Sequence, residues 1–356
     1  MSDFLHTRAC EMLGCRYPII QTAMGWIADA RLVAATCNAG GFGFLAGAVM
    51  SPAEVDAAIA KTKTLTDRSF GLNFHMFQPG ANEIVDLAIK HSDRVRAVSY
   101  GRGPDKKIIK RFRDAGIICM PTVGAVKHAV KAIELGADLV TVQGSEGGGH
   151  TGSVPTTILL PQVLDAVKVP VLAAGGFYDG RGLAAALAFG AAGIAMGTRF
   201  LMTAESPVPA TTLARYLEAN DAASIRASTA LDGMPQRMID NEFLLHLENA
   251  GGLSRLLLAL GSAWKFKQRT GMSVADMLKT ALKALKDEDM GIAQTLMAAN
   301  APVIIQRAIV EGKPAEGVLP SGQVAVAINQ LPPVAEMIAA MVNTARVRAA
   351  ALAQGE

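Results

Sequence analysis

Short apolar segments alternate with longer amphipathic segments between residues 17 and 202. The short segments are apolar on both faces, which predicts strands of a parallel sheet that helices cover. The longer segments have apolar residues at helical spacing, and several end at a glycine, a common residue at helix C-termini. The predicted strands are 17–24, 42–46, 70–76, 95–100, 117–123, 139–143, 169–174 and 193–201. The predicted helices are 30–39, 53–64, 83–91, 106–115, 126–135, 157–167 and 182–189.

Eight such units, each of about 20–28 residues, predict an α/β protein with a closed (β/α)8 TIM barrel. An open doubly wound sheet is the main alternative. Its first strand–helix turn would need a glycine fingerprint, which residues 21–26 do not contain.

The alternation stops after Leu201, and residues 210–300 predict helices instead. The clearest helical segments are 211–219, 241–249, 253–266 and 274–286, with a later helix at 334–351. We therefore expect a barrel domain over 1–205 and 315–356, and a helical cap over 206–314 that binds substrate.

Composition narrows the function class. Hydrophobic residues make up 51% of the 356 residues and charged residues 18%, so a large core is easily filled. A net charge of +3, without a basic stripe, argues against nucleic acid as a partner. Four scattered cysteines predict free thiols in a reducing cytoplasm and no metal site. The chain shows no signal pattern and no run long enough for a membrane span, so a cytoplasmic location is expected.

The strongest chemical signal is the segment 142–152, in which a predicted strand runs into glycines that end at His150. Dense glycine lets a backbone pass close to a ligand, and histidine suits proton transfer near neutral pH. A flexible loop with a surface histidine is the alternative, but the preceding buried-type strand favours a chemical site.

Other predicted strand ends carry a second signal, because barrel enzymes place their sites there. Gly175-Gly176 follows one strand and Gly197-Thr198 ends the next. Bare backbone amides at neighbouring strand ends predict a phosphate cradle, although glycine pairs also occur in simple turns.

These motifs together resemble the nitronate monooxygenase family, formerly called 2-nitropropane dioxygenases, which includes flavin-dependent enoyl and quinone reductases. The resemblance spans essentially the whole chain. The motifs that carry it are Gln21…Met24, Asn73, the glycine–histidine loop 147–152, Ala174-Gly175-Gly176, Met196-Gly197-Thr198 and Ser321-Gly322-Gln323.

The resemblance implies a TIM barrel that binds FMN without a covalent link. It implies that the phosphate is held by Gly175, Gly176, Gly197 and Thr198. It implies that the ring system is bordered by Ala23, Met24, Gly25, Asn73, Gln143, Gly149 and Gln323. His150 would be the catalytic residue, acting as a base or polarising a carbonyl, with no metal involved. NAD(P)H is one candidate electron partner.

Within the family, the chain looks most similar to a subgroup of bacterial steroid catabolism. Those proteins change the oxidation state of a carbon–carbon bond in a bicyclic acyl-CoA. The similarity lies in residues 176–183, 232–235 and 297–300. Two positions depart from the family pattern. Gly147 stands where the loop usually has an alanine. A lysine that some relatives carry on strand five is absent, and Thr122 is near that position.

The expected function is therefore redox of a carbon–carbon bond in a CoA thioester from steroid ring degradation. Nitronate oxidation with oxygen, NAD(P)H:quinone or enoyl reduction, and a non-catalytic phosphate-binding barrel remain alternatives. The expected partner is a small molecule, and the state of association is open, a homodimer being one option.

Several other residues have a bland interpretation beside a functional one. His75 faces either the flavin or solvent, and Glu146 orients either His150 or the start of its loop. A Met-rich cap segment is more typical of helix packing than of a pocket. Two cationic clusters are typical of solvated helix faces, although either could bind CoA phosphates. The clusters are Arg102, Lys106, Lys107, Lys110, Arg111 and Arg113, and in the cap Lys265, Lys267 and Arg269 with Trp264 and Phe266.

Overall fold

The computed structural model describes residues 3–101, 103–249 and 292–355, without the side chains of 292–300. Its strands are β1 (Ile19–Gln21), β2 (Phe42–Leu45), β3 (Phe70–Asn73), β4 (Val95–Tyr100), β5 (Ile118–Val123), β6 (Val140–Gln143), β7 (Gly149–His150), β8 (Val171–Ala174), β9 (Gly193–Met196), β10 (Ile225–Ser228), β11 (Gln236–Ile239) and β12 (Leu319–Pro320).

The α-helices alternate with these strands over the first 200 residues. They are α1 (Arg8–Leu13), α2 (Ala30–Asn38), α3 (Pro52–Leu65), α4 (Ala81–Lys90), α5 (Lys106–Asp114), α6 (Val126–Leu135), α7 (Thr156–Ala166), α8 (Gly180–Ala188), α9 (Thr198–Leu201), α10 (Ala210–Leu217), α11 (Glu242–Asn249), α12 (Ile292–Ile309) and α13 (Val334–Gln354). Within the described residues, 3₁₀ turns lie at Gly47–Val49, Ala222–Ser224, Pro314–Glu316 and Gln323–Ala327.

Eight parallel strands close into a barrel in the order β1-β2-β3-β4-β5-β6-β8-β9. The closing pair joins β1 to β9, with Ile19 opposite Ile194. The predicted (β/α)8 barrel is confirmed, and the open sheet is wrong because an open sheet would leave these two strands unpaired.

Local sequence sets the helix ends. Ser51 and Glu54 form a capping box at the start of α3, and the side chain of Asp29 accepts the Leu32 N–H at the start of α2. Glycines in the left-handed region follow α6 at Gly136 and α8 at Gly190, as predicted.

The barrel interior is filled by alternate residues of each strand. Ile20, Phe44, Met120 and Leu172 belong to one buried cluster, and α1 packs into it. α1 lies at the amino end of the strands, where the Thr7 hydroxyl donates to the carbonyl oxygen before β9. The ligand site must therefore lie at the opposite end, the carboxyl end of the strands.

A second apolar cluster lies outside the strands, where Phe70, Leu72 and Val98 contact helices α3 to α5. Neighbouring residues of β3 thus face opposite directions, with Leu72 outward and Gly71 inward. A Cβ at Gly71 would overlap the Phe44 ring, so glycine is required there.

Residue contacts divide the chain into two compact units. The barrel unit comprises 1–147, 151–207 and 327–356, and the second unit comprises 148–150 and 208–326. The second unit has its own buried cluster, which includes Leu231, Met238, Leu244 and Val318.

The expectation of helices alone over 210–300 is wrong for residues 225–239. These residues form an antiparallel hairpin of β10 and β11, with Ile225 opposite Ile239. β11 also pairs with β12 and with β7. A strand with partners from distant parts of the chain leaves little local signal, because its stability comes from pairing. Helices α10 and α11 lie where the sequence predicted them, whereas the segments 253–266 and 274–286 lie outside the described residues.

Candidate functional site

A ring of polar side chains replaces the apolar filling at the carboxyl end of the barrel. Asn73 lies opposite Ser99, and the pairings of β4 to β6 give Thr122 and Gln143 the same inward direction. Each is the last inward position of its strand, above the apolar residues. An inward polar layer at this end of a barrel is typical of a ligand site.

Asn73 presents a hydrogen-bond acceptor at this polar ring. Its Nδ2 donates to the Ser99 carbonyl oxygen at 3.0 Å and to Ser99 Oγ at 3.2 Å. A carbonyl oxygen only accepts, so the Asn73 amide group must face Ser99. Its Oδ1 is therefore directed away from Ser99, and Ser99 is a site residue that the sequence analysis missed.

The two departures from the family pattern both lie at this end. Gly147 has close neighbours, since a Cβ there would lie 2.7 Å from Gln143 Cγ and Nε2. Glycine at 147 thus lets Gln143 lie against the loop, whereas an alanine would displace it. Thr122 is exposed in the inward row.

Glu146 anchors the glycine loop to the start of α7. Its carboxylate accepts the Thr156 N–H at 3.0–3.1 Å and lies 2.9 Å from Thr156 Oγ1. The same hydroxyl lies 2.9 Å from the Gly175 carbonyl oxygen. Glu146 therefore has the structural role at the loop start, the blander of its two interpretations, and Thr156 joins the loop to the Gly175-Gly176 turn.

The Gly175-Gly176 turn follows β8 and is fully left-handed, with φ angles of 89° and 86°. Such consecutive positive φ angles strongly favour glycine, which has no Cβ to oppose them. A Cβ at Gly176 would approach the Glu146 side chain no closer than 3.7 Å. The turn therefore leaves bare backbone directly after β8, at the place where the sequence predicts a phosphate cradle.

Gly197 and Thr198 lie at the end of β9, the neighbour of β8 in the barrel. The loop after β1 reaches the same place, because a Cβ at Gly197 would lie 3.5 Å from Met24 Sδ. The structure thus brings Met24 and Gly197 together, with Ala23 and Gly25 in the same loop. Trp26 in this loop has a φ of 62°, a conformation that bulky side chains rarely adopt.

His150 lies in the second unit, on β7, where Gln236 of β11 is its register partner. Its side chain is 55% exposed, so a ligand can reach it. Its Nε2 lies 2.7 Å from Oδ2 of Asp232, whose side chain is only 5% exposed. The sequence analysis missed this partner, although it had noted residues 232–235 as part of the resemblance.

Asp232 is held as a carboxylate. Burial raises the pKa of Asp232, but hydrogen bonds from His150, the Met234 N–H and the Gln236 side chain lower it more, so that its pKa lies below the usual value. The Gln236 Nε2 donates at 2.6 Å and the Met234 N–H at 3.0 Å. The pair can therefore hold a proton on His150 or stabilise the imidazolium.

The remaining candidates fall in different places. Gly149 and Gln323 belong to the second unit, where a Cβ at Gly148 would lie 2.5 Å from the Gly322 nitrogen. His75 is exposed at the end of β3, and its backbone N–H donates to Gln78 Oε1.

The cation cluster of α5 is a surface one. Lys110, Arg111 and Arg113 are each exposed and form ion pairs with Asp114, Asp86 and Asp138. Arg102, the cap cluster 264–269 and three methionines of the Met-rich segment (Met272, Met277 and Met290) lie outside the described residues, and the side chain of Met297 is not described.

All four cysteines are buried free thiols. In the described ranges, no group of three or more His, Cys, Asp or Glu side chains could hold a metal ion. Within those same ranges, no helix has the length and apolarity that crossing a bilayer requires.

A family model described as nitronate monooxygenase matches residues 6–344. The chain belongs to the nitronate monooxygenase family. It is an oxidoreductase, and its cofactor is a flavin, as the resemblance to this family implied.

Two relatives carry the same name, "(3aS,4S,5R,7aS)-5-hydroxy-7a-methyl-1-oxo-octahydro-1H-indene-4-carboxyl-CoA dehydrogenase". The one from Rhodococcus jostii is 47% identical over 348 residues, 98% of each chain. The one from Mycobacterium tuberculosis is 45% identical over 341 residues, 95% of each chain. Among solved structures, FabK from Thermotoga maritima matches 98% of this chain and 99% of its own, at 28% identity and a TM-score of 0.78.

Proposed function

We propose that the protein is an FMN-dependent dehydrogenase of a bicyclic CoA thioester in steroid ring degradation. The observation that carries this proposal is the full-length likeness, at 47% identity, to a protein named as a dehydrogenase of an indene carboxyl-CoA. The alignment covers 98% of this chain, so it includes residues of both units.

The barrel residues fit FMN. The Gly175-Gly176 cradle, with Gly197 and Thr198 on the next strand, offers backbone N–H groups to one phosphate. Asn73 Oδ1 offers an acceptor, which suits the N–H of the pyrimidine edge of a flavin. Ala23, Met24, Gly25 and Gln143 would border the ring system, and Gly149 and Gln323 would complete its surroundings.

The flavin, when bound, supplies an acceptor for two electrons. The protein supplies the proton transfer: His150 removes the acidic proton next to the thioester carbonyl as the neighbouring carbon loses its hydride. Asp232 would stabilise the imidazolium that forms, because a buried carboxylate next to a cation lowers the energy of that cation.

Several finer assignments belong to this proposal. NAD(P)H or another acceptor reoxidises the flavin, and residues 206–314 act as the substrate domain. The protein would work in the cytoplasm, without nucleic acid or membrane as a partner, and a homodimer is one state in which it could act.

The cofactor is tested on purified protein. Heat-released cofactor that migrates as FMN in chromatography, at about one per chain, supports the proposal. A colourless protein that stays colourless after incubation with FMN would contradict it and would favour a non-catalytic phosphate-binding barrel.

A second candidate is oxidation of alkyl nitronates, favoured by the family match over residues 6–344. It requires the same flavin and the same base, so the barrel residues do not distinguish nitronate oxidation from acyl-CoA oxidation. Anaerobic mixing with an alkyl nitronate does: bleaching of the flavin supports this candidate, and its absence contradicts it.

A further inference from the structure

Both carboxylate oxygens of Asp232 contact hydrogen-bond donors. Oδ2 accepts from Gln236 Nε2 at 2.6 Å and lies 2.7 Å from His150 Nε2, while Oδ1 accepts the Met234 N–H at 3.0 Å. An ionised carboxylate has no proton to give. The hydrogen between Asp232 and His150 therefore belongs to His150, on Nε2.

This hydrogen fixes the tautomer of the imidazole. A neutral imidazole carries one N–H, so with Nε2 protonated its lone pair for accepting a proton is on Nδ1. The assignment follows from the partners of Asp232, and it holds whatever else contacts the ring.

The backbone supports the same geometry. β7 is only two residues long and takes its register from β11, with His150 opposite Gln236. Gln236 is itself buried and contacts Asp232, so β11 sets both the register position of His150 and the direction of the Asp232 carboxylate.

Granted the proposed function, on which this step rests, we infer that His150 exchanges the substrate proton through Nδ1 and that Asp232 is its positioning residue. In the oxidation direction, the C–H bond next to the thioester carbonyl breaks and the Nδ1–H bond forms. The flavin, when bound, would supply the acceptor for the hydride of the neighbouring carbon, and the imidazolium would stay paired with the Asp232 carboxylate.

Asp232→Asn separates this role from a structural one. An amide offers an oxygen at one position and an N–H₂ at the other. It must therefore either lose the Met234 N–H or turn its own N–H₂ toward His150 and Gln236. The second arrangement drives the hydrogen of His150 from Nε2 to Nδ1, so Nδ1 loses the lone pair that accepts the substrate proton.

The first arm of the test uses no substrate. The holoenzyme is labelled with ¹⁵N-histidine, and the His150 signals are assigned by comparison with His150→Gln. We expect Nε2 protonated in the neutral ring of the wild type and a shift of the hydrogen toward Nδ1 in Asp232→Asn. Nδ1 protonated in the wild type would overturn the inference, whether or not the enzyme acts on acyl-CoA.

The second arm measures flavin reduction by the bicyclic acyl-CoA under anaerobic conditions. We expect Asp232→Asn to lower kcat about 10²–10⁴-fold, with KM and flavin content nearly unchanged and partial recovery in Asp232→Glu. The control is Asp240→Asn, a carboxylate of the same unit that pairs with Arg226 and makes no described contact with His150. Its kcat should stay near that of the wild type.

The outcomes are distinguishable. A wild type that does not reduce its flavin with acyl-CoA counts against the proposed function, whereas the tautomer still tests the inference. A wild type that turns over, with Asp232→Asn keeping more than about half of its kcat, overturns the positioning role, because a lost tautomer costs orders of magnitude.

Discussion

The barrel unit and the second unit position their candidate residues in different ways. In the barrel, every candidate lies at the end of a strand, and the fold alone brings the strand ends together. In the second unit, His150 is paired with a residue 82 positions away, through a hairpin that the chain forms independently of the barrel strands. In the proposed function, the barrel's share of cofactor binding thus follows from the fold, whereas proton transfer depends on the register of β7 with β11.

This difference explains what the sequence could predict. The barrel strands have continuous apolar patterns and several helices end at glycines, so the fold, the glycine loop and the turn at Gly175-Gly176 were all recognisable. Asp232 was not, because its partner comes from pairing between β7 and β11. Ser99 was missed for a similar reason: only the register of β3 with β4 places it beside Asn73.

The largest effect is expected at His150, whose replacement should impair proton transfer and leave flavin binding unchanged. His150→Ala removes the proton acceptor but leaves the cradle, so flavin reduction by substrate should slow about 10²–10⁴-fold at unchanged flavin content. Stopped-flow absorbance of the holoenzyme measures this rate. A variant that has lost its flavin would show that the His150 side chain itself holds the cofactor, against the proton-transfer role proposed for it.

The reciprocal change is Gly176→Ala in the barrel. The variant forces an alanine into a φ of 86°, and its methyl group lies in the proposed phosphate cradle. Flavin affinity should therefore fall by about 1.5–3 kcal/mol, the range for hydrogen bonds to a charged group. Titration of the apoprotein with FMN measures the loss.

Gly190→Ala is the matched control for this variant. Gly190 also has a positive φ, 98°, but lies after α8 and has only Leu164 near its Cβ position, at 3.8 Å. It should lose stability without losing flavin affinity. Equal flavin loss in both variants would mean that backbone strain, and not the cradle, is responsible.

The pH dependence of stability should report on the second unit. The pKa of Asp232 is lowered in the folded protein, so its ionised form stabilises the fold above the unfolded pKa of 3.8, and this stability is lost as the pH falls through the folded value. At pH 7 the free energy of unfolding of the wild type should exceed that of Asp232→Asn by about 1–1.5 kcal/mol, the difference between charged and neutral hydrogen bonds. Denaturant unfolding from pH 7 down to acid measures the gap, and a gap that widens in acid would contradict the assigned sign.

The smallest effect is expected at Asn73. Asn73→Leu removes one acceptor for the flavin and leaves the phosphate cradle intact, so flavin affinity should fall by about 0.5–1.5 kcal/mol, the usual contribution of one hydrogen bond. Ser99→Ala keeps the backbone acceptor that orients Asn73 and should lose less. A larger loss in Ser99→Ala than in Asn73→Leu would contradict the orientation of the amide.

The central claim is that this barrel oxidises a CoA thioester. The direct measurement is anaerobic titration of the purified holoenzyme with a bicyclic carboxyl-CoA, in parallel with an alkyl nitronate, while the flavin spectrum is recorded. We predict stoichiometric bleaching by the CoA thioester and none by the nitronate. An oxidised spectrum that the thioester leaves unchanged, with bleaching by the nitronate, would contradict the claim.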